Sequence, residues 1–185
     1  MTKPITRPAT RWLAALALTA AALGLFGCAG PSVSDYASET PVLDLRTYFN
    51  GTVTAHGIFT DRSGHVFKRF VVKMDCAWQG DDGTLDEAFT YSDGTTQRRV
   101  WHIKRVADGR YVGTASDVVG EALGEAAGNA FNWHYTLALP VDGKVLNVQF
   151  DDWMYLVDEH TMLNKAVMSK FGVRLGEVTL SFTKS

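Results

Sequence analysis

Cysteine is nearly missing: two in 185 residues, Cys28 and Cys76. That excludes a disulfide scaffold and a multi-cysteine zinc site. Proline is scarce, at five, so a proline-rich linker or stalk is excluded. Charge of one sign is also lacking, with 18 basic and 20 acidic side chains. The only long apolar run, Leu13 to Gly27, is about 15 residues, short of the ~20 that a spanning helix needs. The five histidines, at 56, 65, 102, 134 and 160, show neither His-x-His nor His-x-x-x-His spacing, so no metal site is expected. No phosphate-binding loop, dinucleotide fingerprint or Gly-x-Ser-x-Gly elbow occurs. No cofactor is expected either.

What is present begins with residues 1–27. They carry Lys3, Arg7 and Arg11, no acid, and then the apolar run. A basic start followed by 7–15 apolar residues is the pattern of a secretory signal, here expected as a signal helix. The run ends in Leu25-Phe26-Gly27-Cys28, which resembles the lipobox of bacterial lipoproteins, with Phe26 standing where a small residue is usual. The resemblance implies removal of residues 1–27 and lipidation of Cys28. Ala29 follows, where Asp would favour inner-membrane retention, so the implied location is the cell envelope. The protein would be lipid-anchored in the outer membrane and face the periplasm. Several acyl chains, at ~0.8 kcal/mol per buried CH₂, anchor stably. Residues 28–41 then form the lipidated N-terminus and a polar tether, and 42–185 the domain. Without its first 27 residues the chain has 15 basic and 20 acidic groups. That balance speaks against a nucleic-acid partner.

From Val42 onward the texture is of short segments separated by turn signals. Asp-Gly, the strongest short-range hairpin signal, occurs at 82–83, 93–94, 108–109 and 142–143. Period-two alternation is clearest at 131–139, where Phe131, Trp133, Tyr135, Leu137 and Leu139 share a face. Many short strands joined by tight turns predict an all-β antiparallel up-and-down barrel of about eight to ten strands, because closure removes exposed edges. Between Val118 and Ala130, every even position from 120 is Gly or Ala. This stretch reads as a strand or bent hairpin rather than a helix, since glycine costs ~1 kcal/mol in a helix interior. Its bare face leaves room for something bulky, either a ligand or neighbouring tryptophans.

A run of motifs then resembles domain-of-unknown-function family 3833, a family of proteobacterial lipoproteins. They include Phe49-Asn50-Gly51, Asp75-Cys76-Ala77-Trp78, Glu87-Ala88-Phe89-Thr90-Tyr91, Arg99-Val100-Trp101, Asp117-Val118-Val119-Gly120 and Asp151-Asp152-Trp153-Met154-Tyr155. The match spans nearly the whole mature chain. It implies a lipocalin-like barrel and brings neither an activity nor a catalytic residue.

Candidate site residues follow from pattern. A two-residue turn at Asp93-Gly94 would set Glu87 and Arg98 on one face as a cross-strand ion pair, with His102 beside them. Adjacent Asp151 and Asp152 must point to opposite faces, so one of them enters the interior, where it has to be paired or protonated. Trp133, Tyr135, Trp153 and Tyr155 are the aromatics expected around an interior space, with Arg98 or Asp151 as its polar handle. The ligand expected there is lipid-like, of acyl-chain size. A structural or interaction lipoprotein with a filled barrel is the alternative. Catalysis by Asp151 or Asp152 with His134 or His102 would require carboxylate and imidazole within hydrogen-bond reach in a pocket. Cys76 reads as a buried small hydrophobe.

Overall fold

The computed structural model describes residues 30–141 and 143–185; the expected signal helix and Cys28 lie outside the described residues. Residues 32–185 form one compact unit. It holds ten antiparallel strands: β1 (Gly51–Asp61), β2 (Val66–Gln79), β3 (Asp82–Tyr91), β4 (Thr96–Ala107), β5 (Arg110–Thr114), β6 (Ala122–Ala127), β7 (Ala130–Val141), β8 (Lys144–Leu156), β9 (Thr161–Lys170) and β10 (Val173–Lys184). Each strand pairs with its sequence neighbour, and β1 pairs with β10, closing an up-and-down barrel. The all-β expectation holds, at the upper end of its strand count, because the Gly/Ala stretch supplies β6.

Tight turns explain the meander. Asp108-Gly109 joins Ala107 to its partner Arg110. Asp82-Gly83 is not a turn: Gly80-Asp81 turns instead, and Asp82 pairs with Gln79. Asp93-Gly94 belongs to a longer loop than its dipeptide implies. The Tyr91 amide donates to the Thr95 carbonyl (2.9 Å) and the Gly94 amide to the Tyr91 carbonyl (3.0 Å). Gly94 has φ +83°, the left-handed position that ends a three-residue hairpin loop. The Asp93 carboxylate accepts from the Thr95 amide at 3.1 Å and its hydroxyl at 2.6 Å, fixing the loop. The extra loop residue shifts β4 by one, so Glu87 stands opposite Arg99 and Ala88 opposite Arg98. A one-residue shift turns every side chain to the other face.

One end of the barrel is plugged. Asp44 caps α1 (Leu45–Tyr48), accepting from the Thr47 amide. Leu43, Leu45, Tyr48 and Phe49 are buried as a floor. Phe49 meets Phe182 edge-on at 5.8 Å, and the Tyr48 hydroxyl donates to the His160 carbonyl at 2.9 Å. At the opposite end Phe59, Tyr91, Leu139 and Leu180 are only partly buried. The segment on the tether side of the sequence boundary is laid against the barrel. A 3₁₀ turn at Val33–Tyr36 is closed by a Ser32–Asp35 capping box, and Tyr36 packs on Trp153 and Tyr155 at 5.9 and 5.3 Å.

Candidate functional site

Alternation decides what the barrel encloses. On β7 the inward set is Phe131, Trp133, Tyr135, Leu137 and Leu139, as the pattern predicts; on β8 it includes Phe150, Asp152 and Met154. Trp153 and Tyr155 therefore face outward, where they hold Tyr36 rather than line the interior. Asp151 is outside with them, 3.6 Å from His134, and both side chains are more than half exposed. Arg98 is also external, 70% exposed, and pairs with Asp86 through Nε at 2.7 Å. Four of the expected ligand residues are thus on the wrong face, and the expected Glu87–Arg98 pair is replaced by Glu87–Arg99 inside and Asp86–Arg98 outside. Among the described residues no histidine lines the cavity, so the carboxylate–imidazole arrangements considered for catalysis are not assembled there.

The interior holds a cavity of about 230 Å³. Its walls are mainly apolar and aromatic: Phe70, Phe89, Trp101, Trp133, Tyr135 and Phe150 are among them. The volume exceeds the ~150 Å³ of an engineered cavity that holds benzene. It falls below the ~300–1,000 Å³ of pockets for drug-sized ligands. The Gly/Ala stripe does not widen it. A methyl group on Gly124 would collide with the Trp133 ring and lie 2.5 Å from Phe131 Cζ, and one on Gly113 would lie 2.7 Å from Trp133 Cζ2. Of the two readings left open for the stripe, that of neighbouring aromatics holds at Gly124, while Gly128 lies against the Tyr36 carbonyl and Gly120 faces open space.

A polar belt crosses these walls. Arg99 on β4 donates Nη2 to Asp117 at 2.7 Å and Nε to both of its oxygens at 3.0 Å. Asp117 comes from the β5–β6 connection, which bonds to β7: the Ala138 amide donates to the Asp117 carbonyl at 2.8 Å and the Val119 amide to the Thr136 carbonyl at 2.9 Å. Glu87 on β3 has Oε2 3.7 Å from Arg99 Nη1, and both side chains are largely buried. Across the belt Asp152 accepts from the Tyr135 hydroxyl at 2.9 Å and from the Asn164 amide. Two acceptors on the lining, Glu87 Oε2 and Asn164 Oδ1, are buried without a hydrogen-bond partner.

Burial outweighs the nearby guanidinium at Glu87, whose hydrogen bonds go to Asp117. The Glu87 carboxyl is pushed up to about 7, with Asp117 and Asp152 adding to the effect. Burial also raises Asp152, to about 6, against the opposing hydrogen bonds from Tyr135 and Asn164. Arg99 resists burial, since Asp117 and Glu87 hold its charge more firmly than water does. The Tyr135 phenol is pushed well up by burial and by Asp152. Cys76 is a free, buried thiol raised to about 12 by burial and the field of Glu87, which makes it a poor nucleophile. Among the described residues no group of three or more His, Cys, Asp or Glu side chains is placed to hold a metal.

These two carboxyls impose a pH dependence on stability. Each binds its proton more tightly when folded than when unfolded, so their contribution is complete below about pH 4 and is lost as pH rises through about 6 and 7. Denaturant midpoints measured from pH 5 to pH 8.5 should fall across that window. Glu87→Gln should flatten the upper part of the fall. A midpoint rising over the same range would contradict the assignment.

The fold and site define a class: a closed ten-stranded antiparallel barrel with a floor at one end and a belted apolar cavity inside. The chain belongs to the family described as protein of unknown function (DUF3833), whose model matches residues 22–184. No curated protein matches it. Among solved structures it is similar to a designed fluorescence-activating β-barrel, with a TM-score of 0.42, 12% identity and coverage of 77% of this chain and 99% of that one. It is also similar to a protein of unknown function of the DUF3598 family from Nostoc punctiforme. There the TM-score is 0.47, the identity 12% and the coverage 85% of this chain and 53% of that one.

Arg99, Asp117 and Asn164 are not singled out as site residues by the sequence. Shifting the hairpin register by one would have found Arg99. Asp152 was one of two candidates for the interior. Nothing local marks Asp117, which sits in a loop, or Asn164, whose strand alternates weakly.

Proposed function

We propose that this protein is a lipid-anchored binding barrel of the cell envelope, tethered through Cys28 to the outer membrane and facing the periplasm, that holds a small apolar or amphipathic molecule. The observation that carries the binding reading is the 230 Å³ cavity itself. A barrel serving only as a packed scaffold gains from filling such space, since lining atoms without neighbours forfeit dispersion contacts. The volume fits one ring or a short chain rather than a full-length acyl chain. Aromatic walls supply most of the contact area, and the polar belt supplies orientation, the usual division of labour in a small-molecule site.

Organic extraction of the purified protein followed by mass spectrometry should release a small molecule. Titration of stripped protein with single-ring and short-chain compounds should quench tryptophan emission saturably, since Trp101 and Trp133 line the cavity. No extract and no saturable change would overturn the binding reading. The anchor is tested separately. A clickable fatty acid supplied to growing cells should label the protein and not its Cys28→Ala variant; equal labelling of both would remove the anchor.

A further inference from the structure

The cavity is chemically lopsided. Among the described residues its lining contains four carboxyl or amide side chains that offer acceptor oxygens, Glu87, Gln97, Asp152 and Asn164, and one cation, Arg99; Gln97 Oε1 already accepts from the Tyr91 hydroxyl at 2.7 Å. That cation is already spent. Three contacts of 2.7–3.0 Å commit its Nε and Nη2 to Asp117, and Nη1 stops 3.7 Å short of Glu87. Two acceptor oxygens on the lining, Glu87 Oε2 and Asn164 Oδ1, are buried and receive no hydrogen bond. Buried polar atoms are almost always satisfied, and each exception calls for a cause. Asp117, Glu87 and Asp152 together outnumber Arg99, so with all of them ionised the belt carries two negative charges in excess. An anionic ligand, a fatty acid included, would add a third to a poorly solvated space.

We propose that the cavity selects a small apolar ligand bearing a protonated primary amine, whose ammonium donates to Glu87 while its apolar body lies against the aromatic walls. This rests on the reading of the cavity as a binding site and names the ligand class. An ammonium brings three donors and no acceptor, the complement of a lining with orphaned acceptors. Its positive charge balances a carboxylate that Arg99 leaves unbonded. Phe89, Trp101 and Tyr135, also on the lining, supply aromatic surface for the apolar body.

The pH response follows from the same groups. Glu87 is faced by Arg99 on β4, Asp117 from the β5–β6 connection, Asp152 on β8 and Tyr91 on its own strand, and its field reaches Cys76 on β2 and Tyr135 on β7. Of these Glu87 and Asp152 titrate between about 6 and 7. The tyrosines, Cys76 and Arg99 lie far higher, and Asp117 is bonded to Arg99. A primary amine, ordinarily titrating near ~10, stays charged throughout. Amine binding therefore requires the ionised form of Glu87, releases its proton, and strengthens as pH rises from 6 to 8.

Three probes of matched shape test this on the full protein: benzylamine, benzyl alcohol and benzoate, followed by calorimetry and tryptophan emission at pH 6, 7 and 8. Benzylamine should bind at least about tenfold more tightly than benzyl alcohol at pH 8, the lower bound for a charge-assisted hydrogen bond in a buried site. Its advantage should shrink at pH 6, and benzoate should not bind. In Glu87→Gln the advantage of benzylamine over benzyl alcohol should vanish at every pH. Benzyl alcohol or benzoate binding as tightly as benzylamine would overturn the amine assignment and leave the binding barrel standing. A preference that persists in Glu87→Gln would overturn the role of Glu87. Failure of all three probes would count against the cavity as a site. If Glu87→Gln does not fold, the wild-type ranking and its pH dependence decide.

Discussion

Arg99→Met should cost the barrel about 3–5 kcal/mol, the usual result of removing one member of a buried ionic group. Among the described residues the guanidinium is the sole cation on the cavity lining, and it is the shared partner of Asp117 and Glu87. Methionine keeps much of the side chain's bulk and loses every donor. Asp117 then loses its charge-assisted contacts, and Glu87 loses the one charge that favours its ionisation. The loss should be smaller at acidic pH, where the carboxyls take up protons and need no counter-ion. Adding Asp117→Asn and Glu87→Gln should recover a large part of it, since breaking such a group costs far more than replacing it whole. Urea denaturation of the single and triple variants at pH 5.5 and 8 measures this. A loss below about 1 kcal/mol would place the pair in the range of exposed ion pairs and show that water reaches the belt freely.

Trp133→Ala should be comparably destabilising, about 3–5 kcal/mol for a large aromatic deleted from a core. Trp133 is 4% exposed, packs against Trp101 and Phe131 at 5.8 and 5.3 Å, and occupies the space over Gly113 and Gly124. The glycines are what make the site specific. Gly124→Ala in the wild type pushes a methyl into the indole, an overpacking cost of about 1–3 kcal/mol. In Trp133→Ala that obstacle is gone. The methyl then meets only the edge of the Phe131 ring, 2.5 Å away at Cζ, and a strand alanine is otherwise favoured over glycine by about 0.5–1 kcal/mol. The two changes should therefore couple, with Gly124→Ala costing less in Trp133→Ala than in the wild type. Denaturation of the four proteins of the cycle gives the coupling directly. Additive losses would mean that the indole does not fill the stripe. The enlarged cavity should also accept longer chains than the wild type, which fluorescence from Trp101 would report.

The hairpin loop at Tyr91–Thr95 shows how far pattern carries and where it stops. Asp93-Gly94 correctly marks a turn between β3 and β4. The dipeptide alone does not say whether Ser92 belongs to the strand or the loop. That single residue decides whether Arg98 or Arg99 faces inward, and with it the identity of the internal ion pair. The β8 strand presents a different limit. Large side chains occur at both parities in Phe150, Trp153, Met154 and Tyr155, so alternation does not name the inner face. The decision comes from outside the strand, because Tyr36 covers Trp153 and Tyr155 and leaves Asp152 to the interior.

The β-rich texture, the Asp-Gly turns other than Asp82-Gly83, the closure into an up-and-down barrel and the inward set of β7 were determined by the sequence itself. They follow from local turn chemistry and a period-two pattern, and neighbouring strands in the chain are neighbours in the sheet. The site was decided by the tertiary structure. Glu87, Arg99, Asp117, Tyr135, Asp152 and Asn164 meet only because the closed barrel brings five strands and a loop to one interior. Their charge states depend on how little water that interior admits. Neither a convergence across the barrel nor the solvation it removes has any signature in the residues adjacent to each group.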